Sequence, residues 1–169
     1  CSAISGIDQA LWDITGKAFG QPVHRLLGGA VRDRVQLYPR SDLGLPLDEE
    51  IAAAKEEGFT AFKAGIATRT APFNVQQGEH FIEKTHQFRE MAGPDMELMV
   101  DVGGTMPLPM AAKYLAGVEQ DNLLFVEEVV NGDTPRDLKA LRQAFPSVAI
   151  AFGERLATRW GFREYLDEG

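Results

Sequence analysis

Asp101 in ELMVDVG, Glu127 in LLFVEEV and Glu154 in VAIAFGER each close an apolar run suited to a strand. Each acid follows the last at about the pitch of one strand–helix repeat. In a parallel barrel the C-terminal ends of all strands share one rim, so these carboxylates would converge there. Three hard oxygen ligands at one point suit a magnesium-type cation, with water or substrate oxygens completing its shell. Any one acid could simply open a loop. Three in step favour the metal.

The elements that must carry these acids follow a regular alternation. RVQLYPR reads as a first strand, and PLDEEIAAAKEEG as a helix with acids in its first turn and Gly58 at its stop. FTAFKAGI is the next strand, followed by a polar loop to Asn74 and a helix to about Met91, ended by Gly93 and Pro94. MELMVDVG, a helix around 109–119 and LLFVEEVV come next. Asp133-Thr134-Pro135 resembles a helix start with proline at its first position, and that helix runs to Phe145. VAIAFGER is the fifth strand, and WGFREYLDEG opens a further helix. Short apolar runs alternating with amphipathic stretches predict parallel βα units. A doubly wound sheet shares this local pattern, but its ligand site lies at one switch point, whereas these acids close three consecutive strands. The expectation is an α/β fold, a partial (β/α) barrel with about five βα units.

An eight-fold barrel needs about 250 residues, and this chain has 169, beginning at Cys1. The expectation is therefore part of a longer protein, or one whose missing segments have been closed up. Five units alone would leave open sheet edges. The net charge of −8 argues against a nucleic-acid footprint, which is basic and clustered. No apolar stretch reaches the length of a membrane span. A single cysteine excludes an internal disulfide and suits a reducing, cytoplasmic setting.

The opening segment, ISGIDQALWDITGKAFGQPVHRLLGG, predicts an amphipathic helix stopping near Gly20, with Ile7, Leu11 and Ile14 on one packing stripe. It also closely resembles the signature segment of the mandelate racemase and muconate-lactonizing enzymes of the enolase superfamily. Ala3, Ser5, Gly6, Ile7, Asp8, Ala10, Leu11, Asp13, Ile14, Gly16, Lys17, Pro22, Leu26, Leu27 and Gly28 fit that pattern, which continues through LMVD, FVEE and FGER. The resemblance implies that residues 1–30 join a capping domain to the barrel. Residues 31–169 would form the barrel's first part, with the capping domain and last strands absent.

The resemblance also implies chemistry. Such enzymes hold a small carboxylate substrate on Mg²⁺ and remove its alpha proton, and the metal stabilises the resulting enediolate. Asp101, Glu127 and Glu154 match the family's ligands. Glu128 adjoins Glu127, so strand alternation sends it to the opposite face. It becomes a supporting or helix-facing partner on the substrate side. Lys63 matches the first lysine of a Lys-x-Lys pair and is a candidate base or carboxylate-binding cation. The second lysine is replaced by Gly65. Gly103 stands where relatives carry Asn or His, and Val129 where they carry Pro. Alternation would turn Gly65 with Lys63 and Gly103 with Asp101, opening space at the mouth. Both glycines could instead ease strand-to-loop turns.

Arg69, in the loop after the second strand, could contact an anionic substrate. Arg155 and Arg159 follow Glu154 at the same rim, and GERLATRWGF resembles segments of sugar-acid dehydratases. His24 reads as packing or capping in the signature segment, and His80 and His86 as surface residues of a barrel helix. The implied activity is Mg²⁺-dependent dehydration of a sugar acid by a homo-oligomeric lyase. A racemase, epimerase or cycloisomerase of the same family, or a member without turnover, stays open.

Overall fold

The computed structural model of the chain describes residues 2–41, 45–66, 74–132 and 134–168. Helix α1 (Ser2–Phe19) ends at Gly20, whose φ of +61° suits a residue without a Cβ. The chain then turns back, with the Gln21 N–H donating to the Gly16 carbonyl at 2.9 Å, and forms the short α2 (Val23–Leu26). The Ile7, Leu11 and Ile14 stripe is on one face as predicted, but it is exposed. What α1 buries is Gly16, against Gln21 and Val23.

Helix α3 (Leu47–Glu56) carries Asp48, Glu49 and Glu50 in its first turn, where the helix dipole favours negative charge. Strand β1 (Ala61–Gly65) leads across to α4 (Val75–Ala92). Asn74 and Gln77 form a reciprocal capping box there: the Gln77 N–H donates to Asn74 Oδ1 at 3.0 Å and the Asn74 N–H to Gln77 Oε1 at 3.1 Å. Then come β2 (Glu97–Asp101), α5 (Leu108–Val118) with a 3₁₀ turn over 119–121, and β3 (Phe125–Glu127). Helix α6 (Pro135–Ala144) starts with proline at its first position after Thr134, β4 is Ile150–Ala151, and α7 is Thr158–Glu168. Thr134 is the N-cap residue of α6, without a side-chain hydrogen bond, and Asp133 of the expected helix start lies outside the described residues.

The four strands form one parallel sheet in the order β1-β2-β3-β4. The strand expected at RVQLYPR reduces to a bridge between Arg40 and Lys63. The Lys63 N–H donates to the Pro39 carbonyl and the Ser41 N–H to the Lys63 carbonyl. Pro39 has no N–H to extend that ladder, and Val35 and Leu37 are each 70% exposed.

Even-numbered strand residues (Phe62, Ala64, Leu98, Val100, Val126) pack into the core beneath α3 to α6. Each of these side chains larger than Ala64 contributes about 1.5–3 kcal/mol when fully buried. Alternation then sends the odd-numbered Lys63, Met99, Asp101, Phe125 and Glu127 to the opposite face. Helices α4 and α5 approach so closely that a Cβ on Gly117 would stand 2.7 Å from Ile82 Cδ1. Tyr114, fully buried between them, shares a 2.9 Å hydrogen bond with Thr85 Oγ1.

At the N-terminal end of the sheet, Arg89 donates to the carbonyls of Asp121 (2.7 Å), Gly93 (3.0 Å), Met96 (2.8 Å) and Asn122 (3.1 Å). His86, expected as a plain surface residue, is half-buried beside it. Its Nδ1 lies 2.9 Å from both carboxylate oxygens of the buried Asp121. His24 and His80 are exposed.

Candidate active site

The register of the sheet builds the site. Gly65 pairs with Asp101, Asp101 with Glu127, and Glu127 with Ala151, so one row crosses the four strand ends. Lys63 sits one step below that row on the same face. Its Nζ lies 2.5 Å from Glu127 Oε2 and 3.8 Å from Asp101 Oδ2, with all three side chains largely shielded. Burial alone would lower the Lys63 pKa. The hydrogen bond to Glu127 and the charges of Glu127 and Asp101 outweigh it, and the ammonium is held above its ordinary value. Lys63 in this arrangement is a fixed cation between two carboxylates.

Asp101 is oriented from its other side, because the Gly103 N–H donates to its Oδ1 at 3.0 Å. Strand β2 ends at Asp101, so alternation does not extend to Gly103, contrary to the expectation that it faces with Asp101. Gly103 lies in a turn with φ of +70°, a conformation that accounts for the glycine. Gly65 differs: among the described residues a Cβ there would meet only Ser41 Oγ, at 3.9 Å. Its missing side chain does leave room at the mouth.

Alternation also fails at Glu128, whose φ is +49°. The residue is 3% exposed, and its Oε2 accepts from Arg155 Nη2 at 3.1 Å. Burial raises its pKa. The charges of Glu154, Asp101 and Glu127 add to that rise, while Arg155 opposes it. The other three carboxylates thus lie within electrostatic reach of Glu128. Val129, next in the chain, is fully buried.

Glu154 stands apart. It follows β4 by three residues, its side chain is 57% exposed, and its carboxylate lies 4.0 Å from Arg155 Nε. Among the described residues no group of three or more His, Cys, Asp or Glu is arranged to hold a metal ion. The donor set nonetheless fits a hard divalent cation in type and location. Asp101 and Glu127 are adjacent in register, and Glu154 follows the neighbouring strand β4. Arg69 lies outside the described residues, and Arg159 stacks over Trp160 at 4.7 Å. Sequence reasoning missed Ser41, whose Oγ accepts from the Gly65 N–H at 3.0 Å. A polar residue directly after RVQLYPR was its available signal. It also read Arg155 as rim-facing without its tie to Glu128, for which the sequence carries no local sign.

Residues 47–169 match the model of the enolase C-terminal domain-like family, and residues 1–28 match the mandelate racemase / muconate lactonizing enzyme N-terminal domain. The chain belongs to the mandelate racemase and muconate-lactonizing family of the enolase superfamily. It is 36% identical over 171 residues to a D-galactonate dehydratase of Variovorax paradoxus, covering 99% of this chain and 44% of that protein. A mandelate racemase/muconate lactonizing enzyme-like protein from Rubrobacter xylanophilus superposes with a TM-score of 0.78 at 31% identity, covering 94% of this chain and 47% of that one. An L-rhamnonate dehydratase from Gibberella zeae gives 0.78 at 29%, covering 95% and 39%. The chain thus spans under half the length of these relatives. Its open four-stranded sheet is the corresponding part of the family's (β/α) barrel.

Proposed function

We propose that the complete protein is a Mg²⁺-dependent lyase that removes the proton alpha to the carboxylate of a sugar acid and dehydrates it. The supporting observation is the row of strand ends, with Lys63 fixed one step below Asp101 and Glu127 on the face opposite the core. Members of this family generally use Mg²⁺, and the named dehydratases among its relatives favour a sugar-acid substrate. Residues 1–30 would join a capping domain to the barrel of residues 31–169, in a homo-oligomeric cytoplasmic enzyme.

Asp101, Glu127 and Glu154 would hold the cation. When bound, it would offset the negative charge that grows on the substrate as the alpha proton leaves. Lys63 would present its ammonium to the substrate carboxylate, a role that suits a lysine already held as a cation. Gly65 leaves no second lysine on that strand, so the base would come from elsewhere in the complete protein, and the space at 65 would admit substrate. Arg69 would face the anion from the loop after β1. Glu128 would support the substrate side through Arg155.

The test is to incubate the full-length protein with Mg²⁺ and a panel of sugar acids, D-galactonate among them, in deuterated water. A 2-keto product is expected. Alpha-proton exchange with inversion and no 2-keto product would instead place the protein among the racemases and epimerases. Neither exchange nor product on any sugar acid would sink the lyase reading.

A further inference from the structure

We propose that Arg155 is a positioning residue for the cation site, clamping the strand ends that carry Asp101, Glu127 and Glu154. This rests on the reading of those three acids as ligands. Arg155 directly follows Glu154. Its Nη2 donates to Glu128 Oε2 at 3.1 Å and to the Gly103 carbonyl at 3.3 Å. Glu128 directly follows Glu127, and the Gly103 N–H holds Asp101 Oδ1 at 3.0 Å. One guanidinium therefore ties together a neighbour of each ligand.

The backbone around it is built for that clamp. Glu128 adopts a left-handed φ of +49°, which a non-glycine residue keeps only where its surroundings over-determine it. Its N–H donates to the Ala151 carbonyl at 2.9 Å, its own carbonyl accepts from the Gly104 N–H at 2.7 Å, and Arg155 holds its carboxylate. A Cβ on Gly104 would stand 3.4 Å from Glu128 Oε2 and 3.5 Å from Arg155 Nη2, so the pair packs directly against bare backbone. The arginine serves both acceptors from Nη2, whose two N–H directions are fixed in the guanidinium plane, whereas a lysine offers a freely rotating point charge.

Charge and geometry predict opposite outcomes for this residue, which makes the proposal testable. Removing a cation beside carboxylates should tighten Mg²⁺ binding on Coulombic grounds alone. Removing a group that orients ligands should weaken it, by about tenfold or more. Calorimetric titration of the full-length protein with MgCl₂ would compare wild type with Arg155→Met, Arg155→Lys, Glu128→Gln and the Arg155→Met/Glu128→Gln pair. Thermal midpoints without Mg²⁺ report folding. The expected result is about tenfold weaker binding in Arg155→Met and a smaller loss in Arg155→Lys, where net charge is conserved. In the Glu128→Gln background, Arg155→Met should add little. Unchanged or tighter binding in folded Arg155→Met and Arg155→Lys would overturn the proposal. If Arg155→Met does not fold, Arg155→Lys decides by itself. A wild-type protein that binds no Mg²⁺ would sink the ligand reading, and this inference with it.

Discussion

The ends of β2 and β3 and the loop after β4 hold the same kind of residue in different ways. Asp101 and Glu127 are the last residues of strands joined by three to five registered pairs. They arrive beside Lys63 with little freedom left. Glu154 follows a strand of only two residues, beyond Gly153 with its φ of +133°, and projects into solvent. Ladder length decides how much of a ligand's position the backbone fixes in advance. The short strand leaves the rest to side-chain rotation and to Arg155.

That contrast is open to direct attack. In the full-length protein, Asp101→Ala and Glu127→Ala should abolish Mg²⁺ binding and turnover, as should Glu154→Ala, because each removes an anionic donor. Unchanged Mg²⁺ affinity in all three, by calorimetry, would remove the metal site. The sharper version uses shortened side chains. Glu127→Asp should weaken Mg²⁺ more than Glu154→Asp, because the loop can follow its carboxylate and a paired strand cannot. Equal losses would show that the β4 end is as fixed as β3.

Lys63→Met should remove turnover and, in Mg²⁺-free protein, lower stability by roughly 1–3 kcal/mol, since it leaves Glu127 and Asp101 facing each other without a cation. Added Mg²⁺ should restore part of that loss, read by denaturant titration with and without the ion. The raised Lys63 pKa sets the pH window. The pair's contribution is fully present below the ordinary lysine value of 10.5 and is lost as pH rises through the higher folded-state value. A difference between wild type and Lys63→Met that vanished near neutral pH would contradict it.

The helices were legible because their signals are local. The loop end at Asn74, the proline at 135 and the stop at Gly58 each act within a turn of where they are read. The strand-end acids were legible for a related reason, since Asp101 and Glu127 do close β2 and β3. Strand extent was not. RVQLYPR and VAIAFGER both read as strands, yet the first yields a bridge and the second two paired residues, because pairing depends on the neighbour. The Lys63–Glu127 and His86–Asp121 contacts join residues far apart in sequence, and nothing near either partner announces them. The left-handed Glu128 was missed because alternation is a rule for strands, and β3 has already ended.

Smaller effects separate the two glycines. Gly103→Ala should cost about 1–2 kcal/mol, because φ of +70° is unfavourable for a residue with a Cβ. Gly65→Ala should be nearly neutral for stability, with ordinary contact to Ser41 alone among the described residues. Thermal melts of the two variants compare them directly, and an equal cost would mean position 65 is tighter than it looks. The smallest expected signal belongs to Glu128. Its folded-state pKa lies above 4.5, so the folded form holds the proton more tightly, and wild-type stability should fall as pH rises through that interval. Glu128→Gln should flatten this limb of the profile, and an unchanged slope would contradict the assignment.

The guanidinium of Arg89 at the far end of the sheet bears on how the molecule can move. It joins the segment before β2, through Gly93 and Met96, to the segment before β3, through Asp121 and Asn122. Arg155 ties the opposite ends of the same two strands. A pair of rails pinned at both termini resists sliding, which would hold Asp101 and Glu127 at one relative height during the proposed reaction. Breathing would then fall to rotating side chains and to the loops above the rim, while the floor beneath keeps its spacing.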